Sequence, residues 1–104
     1  MTPAEELFHK IASEIPDAAE GKMFGALCIK APNGKAGVIF KNDNIAFKLE
    51  EPLMQETLSL DGAQIFSPAD GRPMNGWVQL PYAYSEKWPE LAQQAMAYVK
   101  TLKK

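Results

Sequence analysis

Apolar side chains recur at helical spacing near the start of the chain. They form a single stripe that consists of Leu7, Phe8, Ile11 and Ile15. Thr2, with Glu5 three residues later, is typical of a capped helix start, and Pro16 interrupts the pattern. We therefore predict a first helix from about Pro3 to Ile15. His9 lies away from the centre of the stripe, so we expect it to face water.

A longer apolar stripe lies near the end of the chain. Its members are Trp88, Leu91, Ala92, Ala95, Val99 and Leu102. Ser85 is suited to cap this helix, and the first helical turn accommodates Pro89. A short middle helix is predicted from Pro52 to Leu58, because Pro suits a first turn and the charges of Glu50 and Glu51 favour a helix N-terminus.

Strand patterns fill most of the space between the helices. The segments Met23–Ala31, Ala36–Lys41 and Ile45–Leu49 are joined by short turns rich in Asn, Asp and Gly, which predicts a three-stranded meander. The buried side of its last strand should carry Ile45, Phe47 and Leu49. Two further strands are predicted at 63–66 and 76–80, whereas 17–22 is interpreted as a connection.

This order of elements predicts one α+β domain over residues 1–104, with a mainly antiparallel sheet of about five strands covered on one side. The composition, with 46% hydrophobic and 23% charged residues, is that of an ordinary globular domain, and the net charge of −2 gives no bulk attraction to nucleic acid or membranes. One cysteine, and a start that has neither the basic nor the apolar region of a secretory signal, favour a cytoplasmic protein. We expect no membrane partner.

Five short segments together resemble the TfoX amino-terminal domain family. They are Met-Phe-Gly at 23–25, Ile-Ala-Phe-Lys-Leu at 45–49, Gly-Ala-Gln-Ile-Phe at 62–66, Gly-Arg-Pro-Met at 71–74 and Trp-Val-Gln-Leu-Pro at 77–81. The Gly-Arg-Pro-Met signature ahead of a Trp-Val strand is the most specific part. The resemblance extends over nearly the whole chain.

This resemblance implies a compact α+β domain related in architecture to the YjbR-like proteins, and it implies no catalytic residues. The name-giving member is a regulator of natural competence with a second, helical carboxy-terminal domain. This sequence stops at Lys104, before such a domain, so the competence role itself is not carried over. The resemblance therefore implies the fold and suggests a regulatory role.

The segment from Phe66 to Pro81 is the most distinctive in the chain, because three prolines, two glycines, a tryptophan and the only arginine fall within it. Arg72 offers a guanidinium that could bind a carboxylate or phosphate. It could instead bind Asp70, Asp61 or a backbone carbonyl and so hold the segment in shape. Asp70, Met74 and Trp77 are the other candidates for contact with a ligand or partner.

Other candidate chemistry is weaker. Cys28 lies within an apolar strand, where a cysteine is usually a small core residue, and no set of metal ligands, dinucleotide motif or phosphate loop is visible, so we expect no cofactor. Lys100, Lys103 and Lys104 follow the aromatic residues of the last helix and could contact nucleic acid, although they also suit a helix C-terminus.

The leading hypothesis is therefore a non-enzymatic cytoplasmic module that acts through protein contacts, with a regulatory role among the candidates. One alternative is a ligand-binding or enzymatic domain with an anion site at Arg72. Another is weak nucleic-acid binding through the last helix. The sequence does not define the oligomeric state.

Overall fold

The computed structural model describes residues 2–16, 18–23, 26–41, 44–66 and 76–101, and only the backbone of Met23. Its helices are α1 (Pro3–Glu14), α2 (Leu53–Leu58) and α3 (Trp88–Lys100), with a 3₁₀ turn at Tyr82–Tyr84. Its strands are β1 (Ala19–Met23), β2 (Ala26–Lys30), β3 (Ala36–Lys41), β4 (Asn44–Lys48), β5 (Gln64–Ile65) and β6 (Trp77–Leu80). The predicted α+β class is confirmed.

The described strands form one antiparallel sheet in the order β1-β2-β3-β4-β6-β5. Strands β1 to β4 follow one another as hairpins, and β6 adds to β4 with Val78 opposite Phe47. The short strand β5 pairs with the outer side of β6. The predicted meander is thus the centre of a sheet that has six strands rather than about five.

All three helices pack against the same face of this sheet. The largest fully buried side chains of this core come from α1, α3 and the strands, and they include Phe8, Ile11, Ile29, Val38, Ile45, Phe47, Val78, Leu80, Trp88, Met96 and Val99. Alternation along β4 places Ile45 and Phe47 in this core, and Leu49 follows them, as predicted. The two helical stripes supply the opposing layer.

The helix starts differ in how they are capped. Thr2 Oγ1 accepts a hydrogen bond of 3.2 Å from the backbone N–H of Glu5, which confirms the predicted cap of α1. The predicted cap of α3 at Ser85 is wrong, because the N–H of Ser85 donates to Tyr82 and extends the 3₁₀ turn. Helix α3 begins at Trp88 and has no side-chain cap, while Pro89 lies in its first turn as predicted.

Strand β1 is the element that the sequence pattern did not reveal, since 17–22 is predicted as a connection. Its sequence, Ala-Glu-Gly-Lys-Met, has no apolar alternation, because an edge strand can pair through its backbone while its side chains stay in water. We predicted that His9 faces water, but β1 places a carboxylate beside its ring. The Nδ1 atom of His9 lies 2.7 Å from Glu20 Oε1 on β1, and its Nε2 atom lies 3.4 Å from Glu5 Oε2.

Helix α3 approaches β3 most closely at Gly37. A Cβ atom at this position would lie 2.7 Å from Met96 Sδ and 3.1 Å from Val99 Cγ2, closer than normal packing permits. The side-chain amide of Asn33, in the turn before β3, donates a 2.9 Å hydrogen bond to the carbonyl of Val99. Both contacts hold the last turns of α3 against the hairpin of β2 and β3.

We expect Gly37→Ala to lower the free energy of unfolding by about 1–3 kcal/mol, because the added methyl group overpacks the contact with α3. The measurement is urea unfolding followed by circular dichroism. Gly21→Ala is the matched control, since its Cβ would lie at an ordinary 3.4 Å from Lys30 Cε and 3.6 Å from Cys28 Sγ. Equal destabilisation by the two substitutions would contradict the close approach of α3.

Candidate functional site

The side of the sheet opposite the helices carries a second, smaller buried cluster. It consists of Ala26, Cys28, Ile39, Ala46, Phe66 and Trp77. Cys28, Ile39 and Ala46 face one another across β2, β3 and β4, so they form its central row. No helical residue of the described chain belongs to this cluster. We call this side the helix-free face.

Lysines surround the central row of the helix-free face. Side chains alternate along a strand, so Lys30, Lys41 and Lys48 share this face with Cys28, Ile39 and Ala46, respectively. All three lysines are partly exposed. The polar side chains that complete this face are Asn44, Gln64 and Gln79. Among the described strand residues of this face, three are lysines and none is acidic.

Two of these lysines lie beside other residues of the helix-free face. Lys48 Nζ lies 5.8 Å from the centre of the Trp77 ring, and Lys48 is opposite Trp77 in the pairing of β4 with β6. The stem of Lys30 runs beside Gly21 and Cys28. This arrangement is typical of amphipathic lysines, and it holds the charges close to the sheet.

Carboxylates concentrate instead around α2, on the side of the sheet that the helices cover. A cleft of about 220 Å³ between α2 and α3 contains Glu56, Glu90 and Lys87. A second cleft, of about 350 Å³, lies beside it and contains Glu50 and Glu51. Within the described residues, glutamates therefore line the clefts near α2, and lysines lie on the helix-free face.

Cys28 is fully buried at one end of the central row of the helix-free face. Burial raises the pKa of its thiol, and the nearby charge of Lys30 only partly opposes this effect. A thiol that is both buried and held in its neutral form is a poor nucleophile. This placement agrees with the interpretation of Cys28 as a small core residue.

Most of the predicted site residues lie outside the described part of the chain. This holds for Asp70, Arg72, Met74, Lys103 and Lys104. The ends of the connection between β5 and β6 are described, and hydrogen bonds of 3.0 Å hold them, from Phe66 N to Trp77 O and from Leu49 N to Gly76 O.

Of the remaining candidates, Trp77 is only 4% exposed and packs in the cluster of the helix-free face. Lys100 is exposed in the last turn of α3, across the sheet from Trp77. The structure therefore brings Trp77 together with Lys48 and separates it from Lys100. Contact of Trp77 or Lys100 with a partner stays a prediction.

The lysines of the helix-free face are the feature that the sequence interpretation missed. The signal was present, because Lys30, Lys41 and Lys48 each continue the alternation on the less apolar side of a predicted strand. Finding them required the register between strands, which places the three lysines on one surface.

Models of known protein families give no match to this chain, and no curated protein matches it significantly. Within the described ranges, no group of three or more His, Cys, Asp and Glu side chains could hold a metal ion. In the same part of the chain, no helix has the length and apolar character needed to cross a membrane.

Burial of Cys28 leads us to expect that a thiol reagent labels the native protein much more slowly than the protein unfolded in urea. Mass spectrometry of the labelled chain over time measures both rates. Native labelling as fast as unfolded labelling would contradict a buried thiol.

The raised pKa of Cys28 also predicts a pH effect on stability. As the pH rises above the ordinary value of 9.0, the thiol of the unfolded chain ionises first, which favours unfolding. The unfolding free energy of the protein should therefore fall relative to that of Cys28→Ala as the pH increases above 9.0. If the difference in unfolding free energy between the two proteins stays constant as the pH rises above 9.0, the raised pKa of Cys28 is contradicted.

Proposed function

We propose that this protein is a non-enzymatic domain that binds an acidic segment of a partner protein through its helix-free face. The observation that supports this proposal is the group formed by Lys30, Lys41 and Lys48 around a buried centre, without a carboxylate among the described strand residues of that face. Clustered lysines attract and orient an acidic partner, and the polar side chains beside them offer hydrogen bonds.

One feature favours a protein partner over nucleic acid. The aromatic ring on the basic face, that of Trp77, is buried, so it has little free surface on which a base could stack. An acidic peptide needs only local positive charge and hydrogen-bonding groups, which this face supplies.

The predicted contact residues Asp70, Arg72 and Met74 fall in the connection between Phe66 and Gly76. Both ends of this connection adjoin β6, close to Lys48. We therefore include the connection in the proposed binding surface, with Arg72 as a further cation for a carboxylate. In the alternative function, Arg72 binds a small anionic ligand instead of a partner protein.

The resemblance to the TfoX amino-terminal domain family enters this proposal as its regulatory part. The described strands form one antiparallel sheet in an α+β fold, which is the fold class that the resemblance implies. A domain that regulates by contact with another protein requires a binding surface and no catalytic group. The cytoplasm is the compartment that we propose, in keeping with the single buried cysteine.

A glutamate-rich peptide should bind the protein and shift the backbone amide resonances of β2, β3 and β4 in a nuclear magnetic resonance titration. Removing two charges with Lys30→Gln and Lys48→Gln should weaken binding by roughly tenfold, because both cations face the peptide. The affinity should also fall with added salt.

The matched control removes two exposed lysines elsewhere, with Lys10→Gln and Lys87→Gln, and should leave the affinity nearly unchanged. An oligothymidylate of equal charge serves as the second probe. Tighter binding of the oligothymidylate than of the peptide, or shifts confined to the last turn of α3 around Lys100, would overturn the proposal.

A further inference from the structure

Strand β1 forms one edge of the sheet in the described chain, since it pairs with β2 on one side and is the last strand in that direction. Its residues Ala19, Glu20 and Lys22 are exposed. An edge strand presents backbone N–H and C=O groups that can pair with another strand. The question is which strand suits this edge.

We propose that β1 pairs with β1 of a second copy of this chain, antiparallel and centred on Gly21. The two copies would be related by a two-fold axis perpendicular to the sheet, which gives the symmetric contact usual for homodimers. This edge is separate from the helix-free face, and the inference does not rest on the proposed function.

The charges of β1 select this register. Along a strand, the backbone N–H and C=O groups of successive residues point alternately toward and away from the neighbouring strand. When two copies of one strand pair antiparallel about a two-fold axis, one residue must therefore lie opposite its own copy, and the register is centred on that residue. Centring on Glu20 would oppose Glu20 to its own copy, and centring on Lys22 would oppose two lysines. Centring on Gly21 instead places Glu20 opposite the partner subunit's Lys22, and this pair occurs twice.

Side-chain geometry agrees with this register. Glu20 and Lys22 are two residues apart, so both side chains lie on the helix-covered side of the sheet, where they would meet their counterparts. His9 Nδ1 lies 2.7 Å from Glu20 Oε1 and so holds the carboxylate in place at the edge. Charges on an edge strand deter most other strands, and here they suit a second copy of the same strand.

Sedimentation velocity over a range of protein concentrations tests the dimer. The protein should change from monomer to dimer as its concentration rises. Glu20→Lys and Lys22→Glu should each weaken dimer formation by roughly tenfold or more, since each turns both attractive pairs into repulsive ones. An equimolar mixture of these two variants should form a heterodimer, because every Lys then faces a Glu.

Lys10→Glu and Glu14→Lys are the matched controls, since they make the same charge changes at exposed positions of α1 and should leave the dimer intact. Hydrogen exchange of the unsubstituted protein gives a second measurement, in which the β1 amides should become more protected as the concentration rises. The proposal is overturned by a protein that stays monomeric throughout, by a dimer that both variants retain, or by variants that do not associate when mixed.

Discussion

The main core of this molecule depends on the close packing of α3 on β3 at Gly37. A Cβ atom at this position would come closer to Met96 Sδ and Val99 Cγ2 than ordinary packing distances, so glycine favours this close approach. The side-chain amide of Asn33, in the β2–β3 turn, donates a hydrogen bond to the carbonyl of Val99 near the end of the helix. With α3 in this position, α1 and α2 complete the layer on the same side, and the opposite side of the sheet is left without a described helix.

The two sides differ in chemistry as a result. The helix-covered side buries large apolar side chains, and acidic residues surround its clefts near α2. The helix-free face has a narrow buried row that consists of Cys28, Ile39 and Ala46, with lysines on the same strands. Burial raises the pKa of the Cys28 thiol, so this residue contributes packing, whereas the lysines carry positive charge.

The sequence was sufficient to predict what depends on local pattern. The apolar stripes of α1 and α3 and the buried face of β4 follow from side-chain periodicity, and the cap at Thr2 follows from its spacing to Glu5. Strand β1 could not be predicted in this way, because a charged edge strand has no apolar face, and the contacts of His9 depend on it. The common surface of Lys30, Lys41 and Lys48 depends on strand register. The register brings these lysines together although they are separated along the chain by 11 and then 7 residues.

The central claim is that the helix-free face, and no other surface, receives an acidic partner. The most direct test is an isotope-filtered nuclear Overhauser experiment on the protein with a bound, unlabelled glutamate-rich peptide. We expect contacts between peptide protons and the side chains of Lys30, Lys48 and Gln79. Contacts confined to residues that border the clefts of α2 and α3, such as Gln94 and Leu53, would contradict the claim.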